Sequence, residues 1–299
     1  MTSQPSTANW ISIFALGLIW GGTFMVVSIA LRGYGPITVA CARTTLGALA
    51  LVGIMFALRR PLPSPQALRA IAIIGPLNTA LPFMLLSWGQ QYVPSAFAGI
   101  SMAVLPLFVL PLAYFFSDET LNVRRVAGVI MGVIGAVVLI GPGVLRIGTG
   151  MEPLGQIACL LATLSYSISS ILTRRCPPVD SITMAAFTLM FGSIILIPLM
   201  IAIEGAPTPT TQDSTLAILF LGLVPTAFAA YLRILVVRTA GSVFMTNVNY
   251  QVPLWSVVFG AVVLDETLPI EFFIALGIIL MGLAVSQGKN PIRLLINRA

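Results

Sequence analysis

Asp118-Glu119-Thr120-Leu121 recurs as Asp265-Glu266-Thr267-Leu268, 147 residues further along the chain. Each copy has a proline twelve residues before it, Pro106 and Pro253, and each lies between two long apolar runs. A short acidic motif kept at one offset from a proline, in the same apolar setting, marks an internal repeat. The chain is therefore two halves built alike.

What surrounds the repeat decides its solvent. Of 299 residues, 58% are hydrophobic and only 8% carry charge, whereas soluble domains carry about 25% charged residues. So few charges cannot cover a water-facing surface, and lipid must solvate most of the chain. The net charge of +6 would suggest nucleic acid in a soluble protein. Here the cations sit in short breaks between apolar runs, where they set orientation, and no nucleic-acid partner is expected. There is no histidine, and Cys41, Cys159 and Cys176 show no metal-ligand spacing. Neither metal nor cofactor is expected. The first run begins near Trp10 without a positive segment ahead of it, as a retained span does.

A helix needs roughly 20 apolar residues to cross about 30 Å of hydrocarbon. Ten runs qualify: 10–31, 37–58, 67–87, 94–117, 122–141, 153–174, 181–203, 214–237, 241–264 and 270–287. The third and eighth carry internal prolines. Turn chemistry such as Gly33-Tyr34-Gly35-Pro36 and Cys176-Pro177-Pro178 fills the breaks. Ten spans put both termini on one side. That side holds Arg59, Arg60, Arg69, Arg124, Arg125, Arg174, Arg175, Arg238, Lys289, Arg293 and Arg298, against Arg32 and Arg146 on the other. Such a bias predicts cytoplasmic termini in a multi-pass membrane protein.

Five spans per half is an odd number, so the second half, 148–299, is inverted relative to the first, 1–147. The fold class is an all-α membrane protein of ten helices in two inverted five-helix repeats. Two-fold pseudosymmetry in the membrane plane gives an inward-open and an outward-open state of similar energy, the basis of alternating access. The acidic motifs precede spans 5 and 10, where carboxylate or Thr side chains cap helix N–H groups.

These features together, with Trp20-Gly21 in span 1, prolines in spans 4 and 9 and an acidic turn before spans 5 and 10, resemble the drug/metabolite transporter superfamily, EamA-type branch. The likeness covers the whole chain and rests on the ordered set, not on one motif. It implies export of small metabolites, often amino acids, and is similar to bacterial exporters including the aromatic amino-acid type. It also implies a cavity between spans 1, 3, 4, 6, 8 and 9, with spans 5 and 10 at the periphery. The small multidrug members carry a glutamate in span 1, and this chain has none, which argues against proton-coupled export of cationic drugs.

Polar groups in hydrocarbon are costly unless they face a bundle interior or a watery cavity. On the implied cavity spans, the candidates for substrate contact are Trp20 and Thr23 in span 1, Asn78 in span 3, Ser101, Met102 and Leu105 in span 4, Tyr166 and Ser169 in span 6, Thr226 in span 8, and Asn247, Tyr250 and Gln251 in span 9. The bland alternative for the hydroxyls and amides is interhelical hydrogen bonding. Pro106 and Pro253 are candidate hinges, since each removes a helix hydrogen bond. Trp10, Tyr34, Trp88, Tyr92 and Trp255 suit an interfacial belt. Arg43 and Arg233 lie within spans and can snorkel to an interface or meet a substrate carboxylate. Gly128, Gly132, Gly135, Gly277 and Gly282 in spans 5 and 10 allow close helix packing, within one chain or, less simply, in a dimer.

No carboxylate lies mid-span, so the expected activity is uncoupled or weakly coupled export of a small-molecule substrate, amino acids foremost, by a monomeric carrier in contact with membrane lipid. Drugs or other neutral metabolites are the alternative cargo, and a channel the alternative class. An enzyme is not expected, because paired mid-membrane aspartates and metal ligands are missing.

Overall fold

The computed structural model describes residues 5–116, 123–141, 150–208 and 210–286. Among these the chain forms ten apolar helical rods, with no strand. In chain order they are α1 (Thr7–Leu31), α2 (Pro36–Ala57), α3 (Pro65–Gly89), α4 (Ser95–Phe115), α5 (Val123–Ile140), α6 (Glu152–Arg175), α7 (Ser181–Ile203) and α8 (Gln212–Ala240). The ninth, α9, is broken into Ser242–Met245 and Val248–Val263, and α10 is Ile270–Ser286. Eight are long and apolar enough to cross a membrane, and the two shorter helices of α9 and α10 complete the set.

Local chemistry sets the ends. Ser6, Ser64, Asp180 and Thr211 each accept a backbone N–H at the start of α1, α3, α7 and α8, the usual use of a short oxygen-bearing side chain. Pro36 and Pro65 stand in the first turns of α2 and α3, where a missing N–H costs nothing.

Inside the rods the repeat becomes visible as matched irregularity. α3 changes to π-helix over Pro76–Ala80 and α8 over Gly222–Phe228. These stretches coincide at the 147-residue offset. α4 tightens to 3-10 helix over Met102–Val104, ahead of Pro106, and α9 breaks at Thr246–Asn247, ahead of Pro253. Each proline frees the carbonyl four residues earlier, and nearby donors take the freed groups. The Leu105 N–H donates to the Met102 carbonyl. Thr226 Oγ1 donates to the Leu221 carbonyl at 2.7 Å, the group Pro225 leaves free. The internal prolines thus bend the rods without leaving these carbonyls bare.

The main contacts cross between the halves. α2 runs along α7, α4 along α9 and α5 along α10; α1 meets α8 and α9, as α6 meets α3 and α4; α3 lies on α7 as α8 lies on α2. Exchanging the two halves reproduces this pattern. Small residues permit the approach. A Cβ on Gly21 of α1 would crowd Trp255 and the Val252 carbonyl of α9, and one on Gly282 of α10 would crowd the Gly128 carbonyl of α5. Gly128 and Gly282 therefore pack against one another within the chain and Gly135 against Ile279, whereas Gly132 faces Leu107 of α4 and Gly277 has nothing within 4 Å.

The acidic motif works differently from the expectation. Glu266 does not cap the helix that follows it. Its carboxylate accepts the N–H groups of Ser95 at 2.6 Å and Ala96 at 3.2 Å, so it caps α4 in the other half. Pro94 and Ser95 leave those N–H groups facing the α9–α10 turn, which brings the carboxylate to them. Glu204, at the end of α7, caps α2 in the same way: it accepts from Ile37 N at 2.9 Å, Thr38 N at 2.8 Å and Thr38 Oγ1 at 2.7 Å. Both clasps lie on the face opposite the termini. On the terminal face, Asp180 meets Arg60 at 3.7 Å and Arg238 at 3.3 Å, and Thr183 Oγ1 donates to the Pro61 carbonyl at 2.9 Å. The first acidic motif, Asp118–Leu121, lies outside the described residues.

Candidate functional site

The interior between α2, α3, α6 and α8 contains a buried cation. Arg43, seven residues into α2, is 6% exposed. Snorkelling would have carried its guanidinium to the interface. Instead the side chain turns inward, and its Cζ sits 3.8 Å from the centroid of the Phe83 ring in α3. One terminal nitrogen reaches Thr226 Oγ1 of α8 at 3.5 Å, while Nε is buried with no partner. The guanidinium makes no ion pair with a described residue. The Phe83 face supplies a weak substitute, since a cation over an aromatic ring is worth about 2 kcal/mol when desolvated.

Tyr166 of α6 closes the other side. Its ring stands 6.5 Å from that of Phe83 at 63°, the same ring that Arg43 covers. The hydroxyl makes no hydrogen bond with any described residue. Tyr166 also borders the central apolar cluster, as do Trp20 and Met102. Three of the sequence candidates thus border one apolar cluster, and Thr226 lies beside Arg43.

The other candidates hold the walls. Ser169 Oγ lies 2.9 Å from Asn78 Oδ1, and Ser165 one turn earlier donates to the Leu77 carbonyl at 2.7 Å. Together they stitch α6 to the π-helical turn of α3. Across the pseudo-two-fold, Trp20 Nε1 of α1 donates to the Pro225 carbonyl of α8 at 3.1 Å. A π-turn exposes carbonyls that an α-helix would use, and a side chain of the other half binds one in each case. Thr23 and Ser101 donate to carbonyls of their own helices, those of Ile19 and Ala98. Thr163 donates to the Ser101 carbonyl at 3.2 Å, and Ser167 donates to that of Leu105, also at 3.2 Å. Gln251 presses on Gly17 in the α1–α9 seam, with its Oε1 buried and unpartnered. Asn247 stands in the break of α9, where Nδ2 donates to the Phe244 carbonyl at 2.9 Å, and Tyr250 follows it, half-buried. Pro253 is buried and Pro106 half-buried.

Arg233 lies seven residues beyond Thr226 on α8, toward the terminal face. Its side chain is exposed. It makes no ion pair with a described residue. Of the proposed belt residues, Trp255 packs edge-on against Phe14 at 5.5 Å and Trp88 against Tyr92 at 5.1 Å. An apolar recess of about 380 Å³ between α2, α7 and α8 lies near the far face, lined by Thr38, Cys41, Thr45 and Met200 among others.

Phe83 was not legible as a site residue, and Arg43 was legible only as one of two ambiguous arginines. A signal was present: position 190, its repeat counterpart, is methionine, so the cation breaks the symmetry of the halves.

Comparison with known proteins follows the same division. The model of the EamA-like transporter family matches twice, over residues 9–141 and 153–287. The Escherichia coli K12 protein called uncharacterized inner membrane transporter YedA is 28% identical, over 93% of this chain and 90% of its own length. The Bacillus subtilis uncharacterized transporter YoaV is 26% identical, over 91% and 94%. A probable terminal-alkyne amino-acid exporter of Streptantibioticus cattleyicolor is 25% identical over 74% of this chain and 73% of its own. One crystal structure with no functional description aligns with a TM-score of 0.66 and 22% identity, over 95% of this chain and 98% of the other.

Proposed function

The chain belongs to the EamA-like transporter family, and from that premise we propose that it is a secondary carrier exporting small metabolites, amino acids foremost, across the bacterial inner membrane by alternating access. The repeat boundary falls near residues 147 and 148, and both termini are cytoplasmic, as the bias of basic residues supports. The terminal face is then cytoplasmic, and the Glu204 and Glu266 clasps lie outside.

The observation that carries this reading is the coincidence of irregular backbone at the repeat offset. π-turns in α3 and α8, and proline-linked breaks in α4 and α9, fall on the helices that carry Asn78, Thr226, Met102 and Asn247. Irregular backbone at membrane depth belongs where helices line a cavity. Matched bends in inverted halves supply two packings of similar energy, which is what alternating access requires. The described carboxylates lie at helix ends or in turns, so the carrier runs without a membrane-buried proton acceptor and is uncoupled or weakly coupled.

Counterflow of labelled amino acids in liposomes containing only this protein tests the reading, with and without a pH gradient. Saturable exchange that a pH gradient does not drive supports an uncoupled carrier. Exchange with no saturation would instead mark a channel, and pH-driven accumulation would overturn the uncoupled mechanism.

A further inference from the structure

The Arg43 guanidinium has three unusual properties together. It is nine-tenths buried at a depth of about 10 Å along α2 by helical rise, its Nε lacks any partner, and it makes no ion pair with a described residue. An unpaired charge taken out of water is penalised by several kcal/mol even after relaxation. The described carboxylates are placed elsewhere: Glu204 and Glu266 cap α2 and α4, Asp180 meets Arg60 and Arg238, Glu152 accepts from Gln156, and Asp213, Asp265 and Glu271 are exposed. Phe83 and Thr226 give only a ring face and one long hydrogen bond.

We infer that Arg43 is the carboxylate-binding residue of the substrate site, with Phe83 and Tyr166 as the aromatic walls on either side of the bound acid. This deepens the carrier reading and rests on it. The substrate class is a small monocarboxylate with an apolar or aromatic body, and the carboxylate, not an amino group, is what the site recognises. A planar guanidinium pairs with a carboxylate through two parallel hydrogen bonds. The Tyr166 hydroxyl, which makes no hydrogen bond with a described residue, supplies a further donor across the Phe83 ring. No described acidic side chain stands nearby to select an ammonium group, so an amino acid and its des-amino counterpart bind alike and the decarboxylated amine does not.

Arg233 extends the site. It lies two turns from Thr226 on α8, about 10 Å along the helix, is exposed, and makes no ion pair with a described residue. An acid released by Arg43 meets this second cation on the path to the terminal face. Two weak stations in series let an anion move without a single deep trap.

The test uses the purified full-length protein and thermal unfolding against L-phenylalanine, 3-phenylpropionate and phenethylamine, with chloride and inorganic phosphate as anion controls. Counterflow of L-phenylalanine is run in parallel. Both carboxylates raise the unfolding temperature, and the amine and the inorganic anions do not. Arg43→Gln raises the half-saturating concentration by about tenfold or more, the scale for losing a charge-assisted bond. Arg43→Lys, which keeps the charge and loses the fork, falls between. If Arg43→Gln does not fold, the acid-against-amine contrast in the unaltered protein and the Arg43→Lys affinity decide.

Protection by the amine equal to that by the acid would overturn the inference, as would wild-type affinity in the Arg43 variants. Equal protection by phosphate or chloride would overturn the carboxylate assignment in favour of a general anion site. Arg43-dependent protection by the acids without counterflow of L-phenylalanine would sustain this site and overturn amino-acid carriage. Counterflow without protection by any acid would do the reverse.

Discussion

The two halves of the molecule agree where the fold is made and differ where the interior is charged. Gly75 and Gly222, at the repeat offset, both stand at the start of a π-turn, and each packs on a helix of the other half, α7 and α2 respectively. Thr79 and Thr226, Pro106 and Pro253, Ser95 and Ser242 also match. At the interior the correspondence fails. Arg43 faces Met190 across the repeat, Phe83 faces Ala230 and Trp20 faces Ser167. On the proposed carrier mechanism, symmetric positions provide two equivalent packings, and asymmetric ones give the proposed site its own chemistry, because a substrate is not two-fold symmetric.

The strongest way to break this comparison is to force the halves to agree. Met190→Arg places a second cation at the counterpart position, half-buried in α7 without a built partner. Its cost is about 2.5–3.5 kcal/mol for an arginine mid-span, read as lost folded yield after detergent extraction. Normal yield would mean the interior tolerates charge in either half, and Arg43 would lose its special standing.

The matched glycines sharpen the comparison next. A methyl on Gly75 meets the Thr188 carbonyl at 2.8 Å and the Phe191 Cβ at 2.9 Å, whereas on Gly222 it meets chiefly the Leu46 side chain. Both Ala variants should lower thermal stability by about 1–3 kcal/mol, the range for overpacking. Gly222→Ala is expected to be worse, because the Leu46 Cβ, fixed to the α2 backbone, lies at 2.5 Å, nearer than the Thr188 carbonyl. Equal losses would show that the two π-turns sit in equivalent surroundings.

The clasps differ in the number of donors they serve. Glu204 takes three and Glu266 two. Glu→Gln at each should cost about 0.5–2 kcal/mol, the scale of a lost cap, with Glu204→Gln the larger loss by urea or thermal titration. A larger loss at Glu266 would mark the α4 clasp as the main seal of the far face. The smallest effect is kinetic. Pro106→Ala and Pro253→Ala should each slow counterflow about threefold, roughly 0.7 kcal/mol of barrier, with little change in half-saturating concentration. Unchanged turnover in both would remove the prolines from the gating motion.

Much of the architecture was legible because it is written in local pattern. Apolar run lengths gave ten rods, the proline and Asp-Glu-Thr-Leu pairs gave the repeat, and the odd number of rods per half gave its inversion. The site was less legible for a physical reason. A one-dimensional pattern places Arg43 two turns inside α2 but does not say which way the side chain turns. That depends on Phe83 and Thr226, 40 and 183 residues away. The acidic motif failed similarly: capping by Glu266 was foreseeable from its chemistry, but its partners at Ser95 and Ala96 lie 171 and 170 residues distant. Hydroxyls such as Ser101 and Thr23 read alike from sequence whether they face a cavity or a carbonyl of their own helix. The structure gives both to carbonyls.

Alternating access between inverted halves is most directly tested by two spin-label distances in one protein whose three cysteines have been replaced by serine. One pair, Tyr92 with Thr267, reports the far face. The other, Leu62 with Pro178, reports the terminal face. All four side chains are exposed. On adding transported substrate, the account predicts opposite shifts in the two distance distributions, one face closing as the other opens. Distances that stay fixed, or that lengthen together, would contradict a carrier that exposes one side at a time.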